Sequence, residues 1–196
     1  MEVEIEAKFP GVDPMDVRKK LHSAGAVCLQ PEVLMRRKVF DYPDLRLEKI
    51  GGWIRVRDEG NRVTMSYKQL NNRTLHGTKE VTLVVDSFDK GCDFLTSVGM
   101  YAKSYQETKR ELWQLGDVEV AIDTWPWVPT FVELEGGSEK VLRKAAIDLG
   151  LDWSTAMYGS VETVYQMYYQ LTESEIDRWE SVTFVPIPDS LLAKKK

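Results

Sequence analysis

A chain of 196 residues, 43% hydrophobic and 29% charged, is long enough to bury one sizeable core and is composed like a folded globular protein, not a disordered or fibrous one. Its net charge of -5 argues against nucleic-acid binding through a basic exterior, and no apolar run approaches the ~18 residues of a membrane span. Two cysteines, Cys28 and Cys92, and two histidines, His22 and His76, are too few and too scattered for a disulfide framework, a zinc site or a catalytic triad.

The opening MEVEIEAKFP alternates strictly. Glu2, Glu4, Glu6 and Lys8 share one face and Val3, Ile5, Ala7 and Phe9 the other, which predicts a strand over 2–9. No apolar leader follows Met1, so the expected location is the cytoplasm. A first helix is expected from Asp13 as N-cap and Pro14 at the first helical position, with Val17, Leu21 and Ala24 on one face and Gly25 near its end. Alternation returns near 33–41, 52–58, 61–69, 78–85, 104–114, 118–125 and 130–136, with DEGN around Gly60 and QLGD around Gly116 as hairpin turns. Gly51 and Gly52 lack the Gly-Lys-Ser/Thr of a phosphate-cradling loop and fit a turn. Two more helices follow from the caps Ser87 and Ser138 and the stops Gly99 and Gly150. Beyond 150 the pattern turns helical, with a capping box at Thr172 to Glu175 and a solvated basic end, LLAKKK. The expectation is an α+β fold: eight sequential antiparallel strands able to close into a β-barrel, in a single domain over 1–196 whose residues 151–196 form a helical extension.

The charged face of the first strand recurs. Arg55 and Arg57 oppose Ile54 and Val56; Arg62, Thr64, Ser66 and Lys68 oppose Val63, Met65 and Tyr67; Glu80 and Thr82 oppose Val81 and Leu83. Further on, Glu119, Ala121 and Asp123 oppose Val120 and Ile122, and Glu133 and Glu135 oppose Val132 and Leu134. Apolar faces turned inward would make an ordinary core with a charged exterior. The helices, however, also need an apolar surface for their stripes, and the outside of the sheet is the most available one. In that inverted barrel the charged faces line a tunnel that cannot stay dry and unpaired. An anionic ligand carried with divalent metal ions would satisfy both signs of charge, cations going to its oxygens and carboxylates to the metal.

EIEAK at residues 4–8 resembles the Glu-x-Glu-x-Lys signature of the CYTH superfamily, the triphosphate tunnel metalloenzymes. WIRVR resembles the family's Arg-x-Arg strand, SYKQL its phosphate-binding lysine, KRELW its basic strand, VAIDT its aspartate strand and FVELE its Glu-x-Glu strand, all in family order, and YGSVETVYQ resembles the tail that often follows. The resemblance implies an eight-stranded antiparallel tunnel that binds triphosphates with magnesium or manganese. It carries metal binding to Glu4, Glu6, Asp123, Glu133 and Glu135, and phosphate binding to Lys8, Arg55, Arg57, Lys68 and Arg110, with Lys8 and Glu6 closest to the chemistry. Hard oxygen ligands suit magnesium or manganese. Two departures stand out. Thr108 occupies the place of the lysine in the family's Lys-x-Arg, while Lys109 faces outward unless a bulge intervenes, and only Glu80 of TKEVT matches the fifth strand. Glu2 falls at the tunnel mouth and Trp53 flanks the entrance; the other tryptophans are expected in core or rim packing.

Three functions follow from the resemblance: a metal-dependent triphosphatase acting on tripolyphosphate, thiamine triphosphate or nucleoside triphosphate; a class IV adenylyl cyclase; or a noncatalytic polyphosphate binder. Retention of the metal carboxylates disfavours the third, and the altered basic strand and absent purine-reading group favour hydrolysis over cyclisation. The expected partner is a small triphosphate substrate, with neither nucleic acid nor membrane, in a monomer or homodimer.

Overall fold

The computed structural model describes all 196 residues and turns the alternating segments into strands. In chain order it runs β1 (Glu2–Val3), β2 (Glu6–Pro10), α1 (Pro14–Ser23), β3 (Val27–Asp41), β4 (Gly52–Asp58), β5 (Val63–Leu70), β6 (Thr78–Val85), α2 (Phe88–Ser97), β7 (Tyr101–Leu115), β8 (Val118–Thr124), β9 (Phe131–Gly136) and α3 (Glu139–Asp148). The short elements α4 (Glu162–Tyr168), α5 (Glu173–Asp177), β10 (Ser181–Val182) and α6 (Asp189–Leu192) complete it.

The main strands pair antiparallel in the order β1-β6-β5-β4-β3-β7-β8-β9-β2, and β10 adds in parallel to β7. The expected count was eight; the path has nine because the first strand is broken in two. β1 pairs with β6 (Glu2 opposite Glu80) and β2 with β9 (Lys8 opposite Glu133), at the two ends of the sheet. Only Glu4 and Ile5 lie between them, and their backbones bond in opposite directions: Glu4 N donates to Thr78 O at 3.0 Å, and Ile5 O accepts from Gly136 N at 3.1 Å. A strand that changes partner cannot keep one ladder, so it breaks at the seam and links the two ends of a strongly curled sheet, while β6 beyond Glu80 keeps an edge that β1 does not pair.

The helices cover much of the outside, leaving Val81 and Leu83 of β6 exposed. α1 starts at Asp13, whose side chain accepts from Met15 N, and buries Val17 and Leu21; Gly25 follows its end at φ +76°, a conformation that favours glycine. Together with α3 it covers the outer face of β2, β8 and β9 in a core that includes Phe9, Trp113, Val120, Val132, Leu134 and Leu142. α2 lies over Phe40 and Val56 with Phe88, Cys92 and Leu95. It comes close to β4 where Gly91 stands: a Cβ there would meet Val56 Cγ1 at 3.3 Å. A third core joins Trp125 and Phe131 of the sheet end to Val164, Tyr165, Tyr169 and Ile176 of the C-terminal segment. Each large aliphatic or aromatic side chain buried this way contributes roughly 1.5–3 kcal/mol. The apolar faces therefore point outward to the helices, and the charged faces point into the barrel. Cys28 is exposed, Cys92 buried, and both are free thiols. No helix is long and apolar enough to cross a membrane.

Candidate active site

Period-two alternation sets which side chains reach the lumen. Glu6 and Lys8 enter from β2, Arg55 and Arg57 from β4, Lys68 from β5, Arg110 from β7, Asp123 from β8 and Glu133 and Glu135 from β9; Glu4 enters at the seam. All ten residues singled out in the sequence line one cavity of about 470 Å³, within the ~300–1,000 Å³ usual for a small-molecule site. The lining is segregated. Lys68, Arg55, Arg57, Arg37 and Arg110 come from the contiguous run β5-β4-β3-β7, whereas Asp123, Glu133, Glu135 and Glu6 come from β8-β9-β2. One wall is basic and the other acidic, with Lys8 set into the acidic wall.

The charges pair within each wall and, through Arg110, across their boundary. Lys8 Nζ, 4% exposed, donates to Glu6 Oε1 at 2.8 Å and lies 3.0 Å from Glu133 Oε2. Lys68 Nζ meets Glu4 at 2.8 Å and Glu80 at 3.1 Å. Arg110 grips Asp123 with its Nε at 2.7 Å and reaches Glu133 Oε1 at 2.9 Å. Arg57 Nε donates to Glu59 Oε1 at 2.9 Å, and Arg55 is 3.4 Å from Glu80. Burial opposes ionisation of Glu133, but Lys8 and Arg110 hold its carboxyl well below the usual range. Burial likewise disfavours charge on Lys8, and Glu133 and Glu6 overcome it, keeping the ammonium protonated.

Glu135 differs, since it has no cationic partner: burial, then Glu133 and Glu6, push its carboxyl up to about 7. Burial and a hydrogen bond with Glu80 raise Glu4 as well, against the pull of Lys68. No three carboxylates stand as a ready-made metal cage. Lysine and arginine side chains instead occupy the carboxylate oxygens. The donor set still fits a hard divalent cation, because Glu135 with Glu133 and Glu6 makes a surplus of buried negative charge that such an ion would relieve.

One end of the lumen is covered by the C-terminal segment, whose Val161, Tyr165, Ile176 and Trp179 line the cavity together with Trp53. Arg73 ties this cover down, at 2.8 Å from Glu173 and 3.6 Å from Glu162. At the other end Glu2 stands exposed beside Glu119 and Glu135. Lys109 faces outward, its Nζ 5.3 Å from the Phe184 ring, and no bulge turns it in. His22 lies outside the lumen, edge-on to Trp113.

The structure adds lumen residues that the alternation did not single out. Glu59, in the DEGN turn, is 4% exposed and bound by Arg57, Arg62 and Thr64, which hold it down to about 2 against the effect of burial. Arg37 on β3 is buried among the other arginines, and Trp125 lies at the covered end.

A family model described as the CYTH domain matches residues 2–174. No curated protein matches by sequence. Among solved structures, a protein from Pyrococcus horikoshii is 18% identical at a TM-score of 0.68, covering 82% of this chain and 98% of its own. A candidate adenylate cyclase from Vibrio parahaemolyticus is 12% identical at a TM-score of 0.71, covering 84% of this chain and 98% of its own. A candidate adenylyl cyclase from Hippeastrum with a dominant triphosphatase activity is 13% identical at a TM-score of 0.58, covering 91% of this chain and 95% of its own.

Proposed function

The chain belongs to the CYTH domain family, and from that membership we propose that it hydrolyses a small triphosphate, such as tripolyphosphate, thiamine triphosphate or a nucleoside triphosphate, with Mg²⁺ or Mn²⁺. The observation that carries this is the segregation of the lumen into a basic and an acidic wall. A linear polyanion laid along β5-β4-β3-β7 would meet Arg55, Arg57, Lys68 and Arg110, the arginines offering planar two-point contacts and Lys68 a compact charge. Glu4, Glu6, Asp123, Glu133 and Glu135 would hold the metal, which supplies charge neutralisation on phosphate oxygens.

In the absence of ligand the lumen cations are held by lumen carboxylates, Arg110 by Asp123 and Glu133, Lys68 by Glu4 and Glu80, Arg57 by Glu59. A polyphosphate competes for the cations and frees the carboxylates, so substrate and metal binding reinforce each other. Hydrolysis then needs water in line with the terminal phosphorus: its oxygen bonds to phosphorus as the bridging P–O bond breaks, and its proton leaves for solvent or a carboxylate. Catalysis of this kind is chiefly positioning and electrostatics. Lys8, held protonated between Glu6 and Glu133, brings positive charge to the reacting phosphoryl oxygens, and Glu6 orients the water. The triphosphatase activity of the Hippeastrum neighbour supports hydrolysis over cyclisation.

The test is to incubate the protein with tripolyphosphate, thiamine triphosphate and ATP, with Mg²⁺ or Mn²⁺ and with chelator. Orthophosphate release that stops in chelator is expected. Full turnover in chelator would remove the metal from the account, pyrophosphate with cyclic AMP from ATP would make the protein a cyclase, and binding without turnover would make it a carrier.

A further inference from the structure

Arg37 is the lumen cation without a carboxylate. Its side chain lines the cavity and the residue is 6% exposed, yet no Asp or Glu oxygen lies within ion-pair distance. Its guanidinium has two contacts: one terminal nitrogen donates to Thr108 Oγ1, and the group lies over the Trp125 ring, 4.6 Å from its centroid. Its Nε is buried with no hydrogen-bond partner. Around it stand Arg57, Arg55 and Arg110, whose charges, after burial itself, weaken its hold on the proton, with Asp123 acting against them. One hydroxyl and one ring face do not neutralise a full charge set among three like charges. An anion entering the cavity that Arg37 lines would supply the countercharge.

We propose that Arg37 is a phosphate-binding residue of the tunnel, the fifth cation of the basic wall, completing on β3 the clamp that Thr108 leaves short on β7. The proposal rests on the reading of the lumen as a triphosphate site. The geometry of the two strands explains why the exchange works. Met35 lies opposite Thr108 and Arg37 opposite Gln106, so the guanidinium reaches diagonally across the ladder to the Thr108 hydroxyl. It therefore comes to the stretch of wall into which a longer basic side chain at position 108 would project. A threonine there leaves room for the guanidinium and supplies an acceptor that fixes it, which a lysine, having only donors, could not do. Arg37 continues the row formed by Arg55 and Arg57 on the neighbouring β4, since Arg37 pairs with Arg57 across the β3–β4 ladder, and joins that row to Arg110 on β7. Its free Nε and remaining N–H groups are donors for phosphate oxygen.

The experiment titrates the protein with tripolyphosphate in excess chelator, where the proposed hydrolysis stops, by calorimetry, for the parent, Arg37→Gln, Arg37→Gln/Thr108→Lys and Arg57→Ala. Arg37→Gln should weaken binding at least tenfold while leaving the melting temperature of the ligand-free protein unchanged or higher, because it removes a buried, repelled cation. Adding Thr108→Lys should restore most of the affinity, a rescue that a structural role for Arg37 does not provide. Should Arg37→Gln fail to fold, the Nε–H resonance of Arg37 in the parent decides: it should shift on tripolyphosphate addition, and a static resonance overturns the proposal. Parent-like binding by Arg37→Gln alongside a weakened Arg57→Ala overturns it and leaves the tunnel reading standing, as does a loss accompanied by a fall in melting temperature and no rescue. A parent that does not bind tripolyphosphate overturns both.

Discussion

At the scale of single residues, Glu135 shows what the ligand-free lumen costs. Its carboxyl is raised from an ordinary 4.5 to about 7 by burial and by Glu133 and Glu6. Between those values the folded chain holds a proton that the unfolded chain has released, so stability falls as pH rises from about 4.5 to about 7 and the full penalty persists above. In chelator, Glu135→Gln should therefore melt higher than the parent at pH 8 and about equally at pH 4, with Mg²⁺ closing part of the gap at pH 8 for the parent. Parallel melting curves for the two proteins from pH 4 to 8 would show that Glu135 carries no such strain. Most lumen residues were legible because their strands alternate cleanly: a charge at every second position of 2–9, or Arg55 and Arg57 set between Ile54 and Val56, can face only one way. Arg37 was not, since its strand has Met35, Arg37 and Val39 on one face and Arg36, Lys38 and Phe40 on the other, so charge does not distinguish them. Glu59 was hidden by its place in a turn, where alternation stops and a buried carboxylate has no sequence mark.

At the scale of elements, β4 and β6 span the residues that alternation predicts, and α1 begins where Asp13 and Pro14 place it. β3 begins at Val27 instead of near 33, because register shifts beside Gln30 and the presence of Pro31 erase the period that would reveal it. The broken first strand was also out of reach, since changing partner at Glu4 and Ile5 is a property of closure and not of local pattern. These elements divide the work: outward apolar faces hold the fold, and inward charged faces line the cavity. Leu142→Ala, in the α3 interface, should cost about 2–5 kcal/mol in urea unfolding. Arg57→Ala should cost clearly less, because Glu59 keeps Arg62 and Thr64. Equal losses would mean that the lumen charges are part of the structural core.

At the scale of the whole molecule, a chain of net charge -5 conceals a basic wall inside a strongly curled sheet, which is why composition excludes a basic exterior and says nothing about the lumen. Closure by the first strand brings Glu4, Glu6 and Lys8, all from the chain's first eight residues, against Glu133 and Glu135 of β9 and opposite the cations of β4 and β5. The C-terminal segment covers one end, leaving the acidic end around Glu2 and Glu119 as the more open approach. The most direct test is a crystal structure of the protein grown with tripolyphosphate and Mn²⁺, with anomalous scattering recorded at the manganese edge. The account predicts an anomalous peak inside the lumen against at least two of Glu6, Glu133 and Glu135, with phosphate groups on Arg55, Arg57, Lys68 and Arg110. Manganese and phosphate bound only on the outer surface, or a lumen still closed by its own ion pairs at saturating ligand, would contradict it.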